Sequence, residues 1–153
     1  MPFLSSFDIA GSGITAQKRR LDTITENIVH RETTRTADGG PYRRKLTVFR
    51  EVDSGRGFSN VLRLARFQYR RPEKPHRDQG VMVSEIIEDQ SDFIPVYDPS
   101  HPDADEEGYV WMPNVNNTIE MIDAMAASRS YSASIAAFDA LKNVASRALE
   151  IGR

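Results

Sequence analysis

The chain contains no cysteine, a single tryptophan and only three histidines in 153 residues. Without cysteine there can be no disulfide framework, no thiol nucleophile and no thiolate-bound metal. No apolar run approaches the roughly 20 residues needed to span a bilayer, so membrane insertion is not expected. A basic stretch followed by an apolar run and a small-residue cleavage site, the pattern of a secretory signal, is also missing. The chain is therefore expected to stay in the cytosol or to leave by a route that needs no cleaved signal. His30, His76 and His101 stand on separate segments without the i, i+4 partner of a helical metal site. No residue can be named for an enzymatic role, and neither a cofactor nor a metal is expected.

Apolar residues make up 39% of the chain and charged residues 27%, a balance on the polar side for a compact globule, which predicts that some apolar surface is kept for partners. Charge is unevenly spread although the net value is only -2. From Lys18 to Arg77 there are 16 basic residues against 7 acids, and from Asp78 to Glu107 there are 10 acids and no Lys or Arg. A basic half followed by an acidic segment suits head-to-tail contact between subunits.

Periodicity predicts a helix at each end. Phe7, Ala10, Ile14, Leu21, Ile24 and Ile28 fall at three-four spacing, with Gln17 at the polar step. Ser5 and Asp8 have the spacing of a capping box, which predicts a start near Ser6; the end is expected at Val29 to Arg31, before the turn chemistry of Asp38-Gly39-Gly40-Pro41. Between Asn117 and Gly152 there is neither glycine nor proline, and Asn117 with Glu120 offers a second capping box. Such a helix would run roughly 50 Å, more than a small domain can cover with its own core. A helical wheel sets Ile119, Ile122, Ala126, Ala133, Ala136, Ala137, Ala140, Leu141, Val144, Ala148 and Ile151 on one side, and Met121, Ala124, Met125, Tyr131, Ile135 and Phe138 on the other. The N-terminal stripe can cover only one of two apolar sides. Either the second side packs on the middle of the chain or it needs a neighbour, and the second outcome is the expectation.

The region between the helices reads as β-rich. Leu46 to Phe49, Gly80 to Ile87 and Phe93 to Tyr97 are short β-branched or aromatic runs bounded by turn residues. The predicted class is α+β: an assembly helix over 1–31, a small β-rich domain over 32–112 with a basic loop or hairpin near 54–79, and a long assembly helix over 113–153. The expected assembly interface comprises Phe7, Ile14, Leu21, Ile24 and Ile28 on the first helix, with Ile119, Ile122, Met125, Tyr131, Ile135, Phe138, Leu141 and Val144 on the second.

Three features imitate chemistry. Gly11-Ser12-Gly13-Ile14-Thr15-Ala16 fits the G-x-G-x-x-A dinucleotide pattern but has no strand before it. Asp103-Ala104-Asp105-Glu106-Glu107-Gly108 opens like a calcium loop, yet its twelfth position is Asn114 where a bidentate Glu is required. Arg63, Arg66, Arg70, Arg71, Lys74 and Arg77, interleaved with Phe67 and Tyr69, offer an alternative function as a nucleic-acid- or acidic-polymer-binding module.

The stretch from Ile9 to Asp22, continuing through Asn27-Ile28, resembles the N-terminal signature of the flagellar rod and hook protein family. Tyr97-Asp98-Pro99-Ser100-His101-Pro102-Asp103-Ala104-Asp105, then Gly108-Tyr109-Val110-Trp111-Met112-Pro113-Asn114-Val115, then Ala127-Ser128-Arg129-Ser130-Tyr131, is similar to its proximal rod branch, and Leu149-Glu150-Ile151-Gly152-Arg153 fits as well. The resemblance implies a structural subunit of the bacterial flagellar basal body. Its paired terminal helices would form the inner layer of a hollow drive shaft that transmits torque around the export channel. It also implies type III export without a cleaved signal, residence in the periplasmic space, and partnership with other rod proteins, copies of itself, and ring or export-gate components, with no nucleic acid bound. Val29-His30-Arg31 departs from the family's small-residue ending of the first helix, and residues 54–79 are longer and more basic than the usual connection.

Overall fold

The structure, a computed structural model, describes residues 2–37, 39–52 and 80–151. The basic segment 54–79, with its six cationic candidates, lies outside the described residues. Helix α1 spans Pro2–Val29 and helix α2 spans Asn117–Ile151; between them lie strands β1 (Lys45–Glu51), β2 (Val81–Glu88), β3 (Ile94–Tyr97) and β4 (Tyr109–Met112). The fold is α+β.

Helix α1 begins at Pro2 rather than near Ser6. Proline suits the first turn, where its missing N–H would have no partner anyway, and Ser5 is left inside the helix, so the Ser5–Asp8 capping box does not form. Hydroxyls within α1 return to their own turn: Thr15 donates to the Gly11 carbonyl, Thr23 to Arg19 and Thr25 to Leu21. After Val29 the chain turns back through Gly39 and Gly40, whose φ values of 84° and 88° are cheap only for glycine. Thr36 N–H closes that turn on the Gly40 carbonyl at 2.9 Å.

Strands β1 and β2 pair antiparallel, with a bulge at Ser84 where the register shifts between Val48 and Phe49. β3 and β4 form a second antiparallel pair from Ile94↔Met112 to Tyr97↔Tyr109. The three strands expected from the sequence are present, and β4 is a fourth, outside that expectation. Its four residues are too few for alternation to be recognised, although Val110 within it is buried.

Among the described residues α1 is the element that touches both the β1–β2 pair and α2; α2 packs on no strand. Ser12 ties α1 to the sheet: its Oγ donates to the Ile9 carbonyl at 2.7 Å and accepts from Val81 N–H at 3.1 Å. Gly80 makes that approach possible, because a Cβ there would lie 2.8 Å from Ser12 Oγ.

Candidate assembly surface

The two helices run antiparallel, as their contacts in order along α1 show. Phe7 meets Phe138 edge to face at 5.3 Å between ring centroids. Gly13 faces Ser134, where a Cβ would come within 3.4 Å of the hydroxyl. Arg20 pairs with Asp123 at 3.4 Å, and Asn27 meets Glu120 at 3.1 Å. Ala16, Ile24 and Ala127 are buried along the same line. Between Phe7–Phe138 at one end of the seam and Asn27–Glu120 at the other, the small residues Gly13, Ala16, Ala127 and Ser134 let the backbones approach closely.

Its lower end is a buried polar knot. Asn27 and Glu120 are each 1% exposed. The Asn27 amide donates to the Lys45 carbonyl at 2.9 Å and to Glu120 Oε2, while its oxygen accepts from the Tyr42 hydroxyl and from Lys45 N–H, both at 2.9 Å. The side chain thereby uses its full hydrogen-bonding capacity. Glu120 Oε1 accepts from Arg44 Nε at 2.6 Å, and Arg44 reaches Asp123 at 3.5 Å as well. Burial holds the Tyr42 phenol well above its ordinary value, and the Glu26 and Glu120 carboxylates push it further in that direction. Asn114 continues the knot: its Oδ1 accepts from Arg44 N–H at 2.8 Å and its amide donates to the Asp89 carbonyl and the Ser91 hydroxyl. A cleft of about 270 Å³ opens beside the knot. Arg20, Arg44 and Lys45 on its wall are all ion-paired, which leaves no spare charge for a ligand.

The knot corrects one expectation. Glu120 does not return to Asn117 as a capping box requires; Asn116 caps α2 instead, accepting from the N–H groups of Thr118 and Ile119 at 3.0 and 3.3 Å. Glu120 is drawn inward by a guanidinium 76 residues away in sequence, a partner that local spacing cannot reveal.

The expected interface residues divide into two groups. Ile24 is buried, and Phe7, Ile14, Leu21, Ile28, Tyr131, Phe138 and Leu141 are half-buried. The remaining five, Ile119, Ile122, Met125, Ile135 and Val144, are exposed, and Met121 joins them; Ile122 is 56% exposed and Met125 54%. Helix α1 sits over the boundary between the two apolar sides of α2 and takes part of each. Hence, among the described residues, neither the middle of the chain nor α1 covers the large residues on the outer flank.

The lookalike sites resolve into local structure. Gly11 and Gly13 lie inside α1 with no strand before them, so no phosphate-binding turn exists. In the would-be calcium loop, the Asp103 carboxylate accepts from the Thr34 hydroxyl at 2.8 Å, and Asp105 Oδ1 accepts from the N–H groups of Glu107 and Tyr109. The segment is the β3–β4 turn, and Gly108 closes it at φ 82°. No three His, Asp or Glu converge as metal ligands among the described residues. His30 stacks on Tyr42, and His101 Nδ1 accepts from Asp103 N–H. No helix among the described residues is long and apolar enough to cross a membrane.

The chain is similar in sequence to proteins of known name. Residues 106–151 match the family model described as the flagellar basal body rod FlgEFG protein C-terminal region. Over its whole length the chain is 38% identical to the flagellar basal-body rod protein FlgC of Bacillus subtilis, all of which is covered. The same protein of Borreliella burgdorferi is 38% identical over 99% of this chain and 98% of its own. That of Salmonella typhimurium is 37% identical, with both chains fully covered. The chain belongs to the FlgC family of flagellar basal-body rod proteins. Membership makes it a structural rod subunit of the flagellar basal body. The family match begins at the β3–β4 turn and runs along α2, so it takes in Asn114, Glu120 and the whole exposed flank.

Proposed function

We propose that the chain polymerises through the uncovered flank of α2, with copies of itself and other rod proteins, into a hollow shaft that carries torque and encloses an export channel. It performs no chemistry of its own. Ring or export-gate components are its other neighbours, and it works in the periplasmic space, reached without a cleaved signal. The observation that carries this proposal is the exposure of Ile119, Met121, Ile122, Met125, Ile135 and Val144 on a helix already paired along one side. Burying a side chain of this size contributes about 1.5–3 kcal/mol gross. Six of them give roughly 9–18 kcal/mol to set against the cost of association.

The test uses residues that the chain does not already bury. Ile122→Asp and Met125→Asp place a charge on the flank while leaving the α1–α2 seam intact. Both variants are expected to keep the helical circular dichroism of the monomer and to give no rods in electron micrographs of cells that carry them. Normal rods built from the double variant would show that this flank is not the interface. Ile24→Asp is the weaker probe, because Ile24 is buried within the chain and a charge there would damage the fold itself.

A further inference from the structure

The β3–β4 hairpin carries a second uncovered surface, different in chemistry from the helix flank. Directly opposed residues of an antiparallel pair share a face, so the register puts Pro95 with Trp111 and Tyr97 with Tyr109 on one side, and Ile94 with Met112 and Val96 with Val110 on the other. On the second side Val110 is buried and Met112 half-buried, while Ile94 and Val96 at its β3 edge are 48% and 40% exposed. The first stays open, with Tyr97 65% and Trp111 49% exposed. Tyr97 and Tyr109 stand edge to face at 5.4 Å, which leaves a row of ring faces beside Trp111. Glu106 and Glu107, at the end of this row, are exposed and form no ion pair among the described residues. Open aromatic faces with an acidic rim suit a ligand that brings proline rings and guanidinium groups, through ring stacking and cation–π attraction.

The chain itself contains such a ligand. Arg70-Arg71-Pro72-Glu73-Lys74-Pro75-His76-Arg77 has a P-x-x-P spacing and four Lys or Arg against one acid. We propose that the Pro95, Tyr97, Tyr109, Trp111 face of one copy docks residues 70–77 of a second copy, which makes the basic segment and the acidic hairpin the two halves of one lateral contact. The proposal builds on polymerisation but uses neither helix.

Trp111 is the only tryptophan in the chain, so its fluorescence reports this face directly. A peptide of residues 68–79 is titrated into the full-length protein. A saturable shift in Trp111 emission is expected, weaker at high salt and absent for a peptide carrying Arg70→Glu, Arg71→Glu, Pro72→Ser and Pro75→Ser. Glu106→Lys with Glu107→Lys in the protein should weaken binding about fivefold. The background Ile122→Asp separates this contact from the helix interface: peptide binding should survive there even though rods do not form. No shift with the native peptide, or equal binding of the altered one, would overturn the proposal. Cross-linking a mixture of heavy- and light-isotope protein decides between chains: links from residues 70–77 to the hairpin should join heavy to light, and links confined within single chains would overturn docking on a second copy.

Discussion

Asn27→Ala should be among the most damaging substitutions in the chain, although it removes only a small polar side chain. The amide makes four hydrogen bonds in a site that is 1% exposed. Each is worth about 1 kcal/mol net, and truncation leaves the Tyr42 hydroxyl, Lys45 N–H and Glu120 Oε2 without that partner. A loss of about 3–4 kcal/mol is expected, a large part of the 5–15 kcal/mol that holds a typical domain. With an m-value of about 2 kcal/mol/M, the urea midpoint of the monomer should fall by about 1.5–2 M. Asn27→Asp gives a sharper version. It keeps the two acceptor contacts but sets a carboxylate against Glu120 Oε2, 3.1 Å from the amide it replaces. Like charges at that distance favour protonation, so the folded-state carboxyl would titrate above its unfolded value. The variant should therefore be weak at neutral pH and recover as pH falls through the raised value. Adding Glu120→Gln should restore part of the loss at neutral pH and flatten the pH dependence. A midpoint shift below about 0.5 M for Asn27→Ala, or an Asn27→Asp variant indifferent to pH, would refute the assignment of register to this knot.

Tyr42 supplies an alkaline counterpart. Its phenol is held neutral in the fold while the unfolded chain ionises near the ordinary 10.0. Above that value unfolding releases a proton, so stability should fall as pH rises. Tyr42→Phe should lower stability by about 0.5–1.5 kcal/mol at neutral pH through the lost bond to Asn27. It should also flatten the alkaline decline, which urea midpoints between about pH 8 and pH 11 would measure. Gly80→Ala should cost about 1–3 kcal/mol, because the new methyl would meet Ser12 Oγ at 2.8 Å while that hydroxyl is held by Ile9 and Val81. The penalty should shrink in a Ser12→Ala background, and additive losses in the double variant would refute the clash.

Much of the architecture was legible because it is periodic. Apolar residues at three-four spacing located both helices, and β-branched runs between turn residues located three strands. The second helix starts at Asn117 as expected, but both predicted capping boxes failed for the same physical reason: they are judged from neighbours three residues apart. Pro2 extends the first helix beyond Ser5, and in the second Arg44 outcompetes the backbone for Glu120. Nothing in the spacing of Asn27, Asn114 and Glu120 showed that they meet in one buried network. Polar residues near helix ends usually face water, and what buries these three comes from segments 18 to 76 residues distant. The exposed flank was legible in outline, as an excess of apolar helix surface. Which residues formed it depended on where α1 settled, and that is decided by Gly13, Ala16, Ala127 and Ser134 rather than by the larger side chains that dominate a wheel.

The choice of seam has a consequence for assembly. A helix pair held by Leu and Ile would spend its large apolar residues on itself and would tolerate slippage, since one aliphatic contact replaces another at little cost. Here the pair is aligned by Arg20 with Asp123 and by Asn27 with Glu120, groups whose bonds are directional. A slip of one turn would bring Asn116 or Ala124 to the place of Glu120 and strand a carboxylate, a loss of several kcal/mol. Register is thus set by polar contacts that themselves consume almost no apolar area, and the pair leaves uncovered the flank of Ile119, Met121, Ile122, Met125, Ile135 and Val144. A subunit that must present the same surface at every position of a polymer needs both properties together: a rigid register, so that each flank is identical, and an unspent apolar face, so that the next subunit has something to bury.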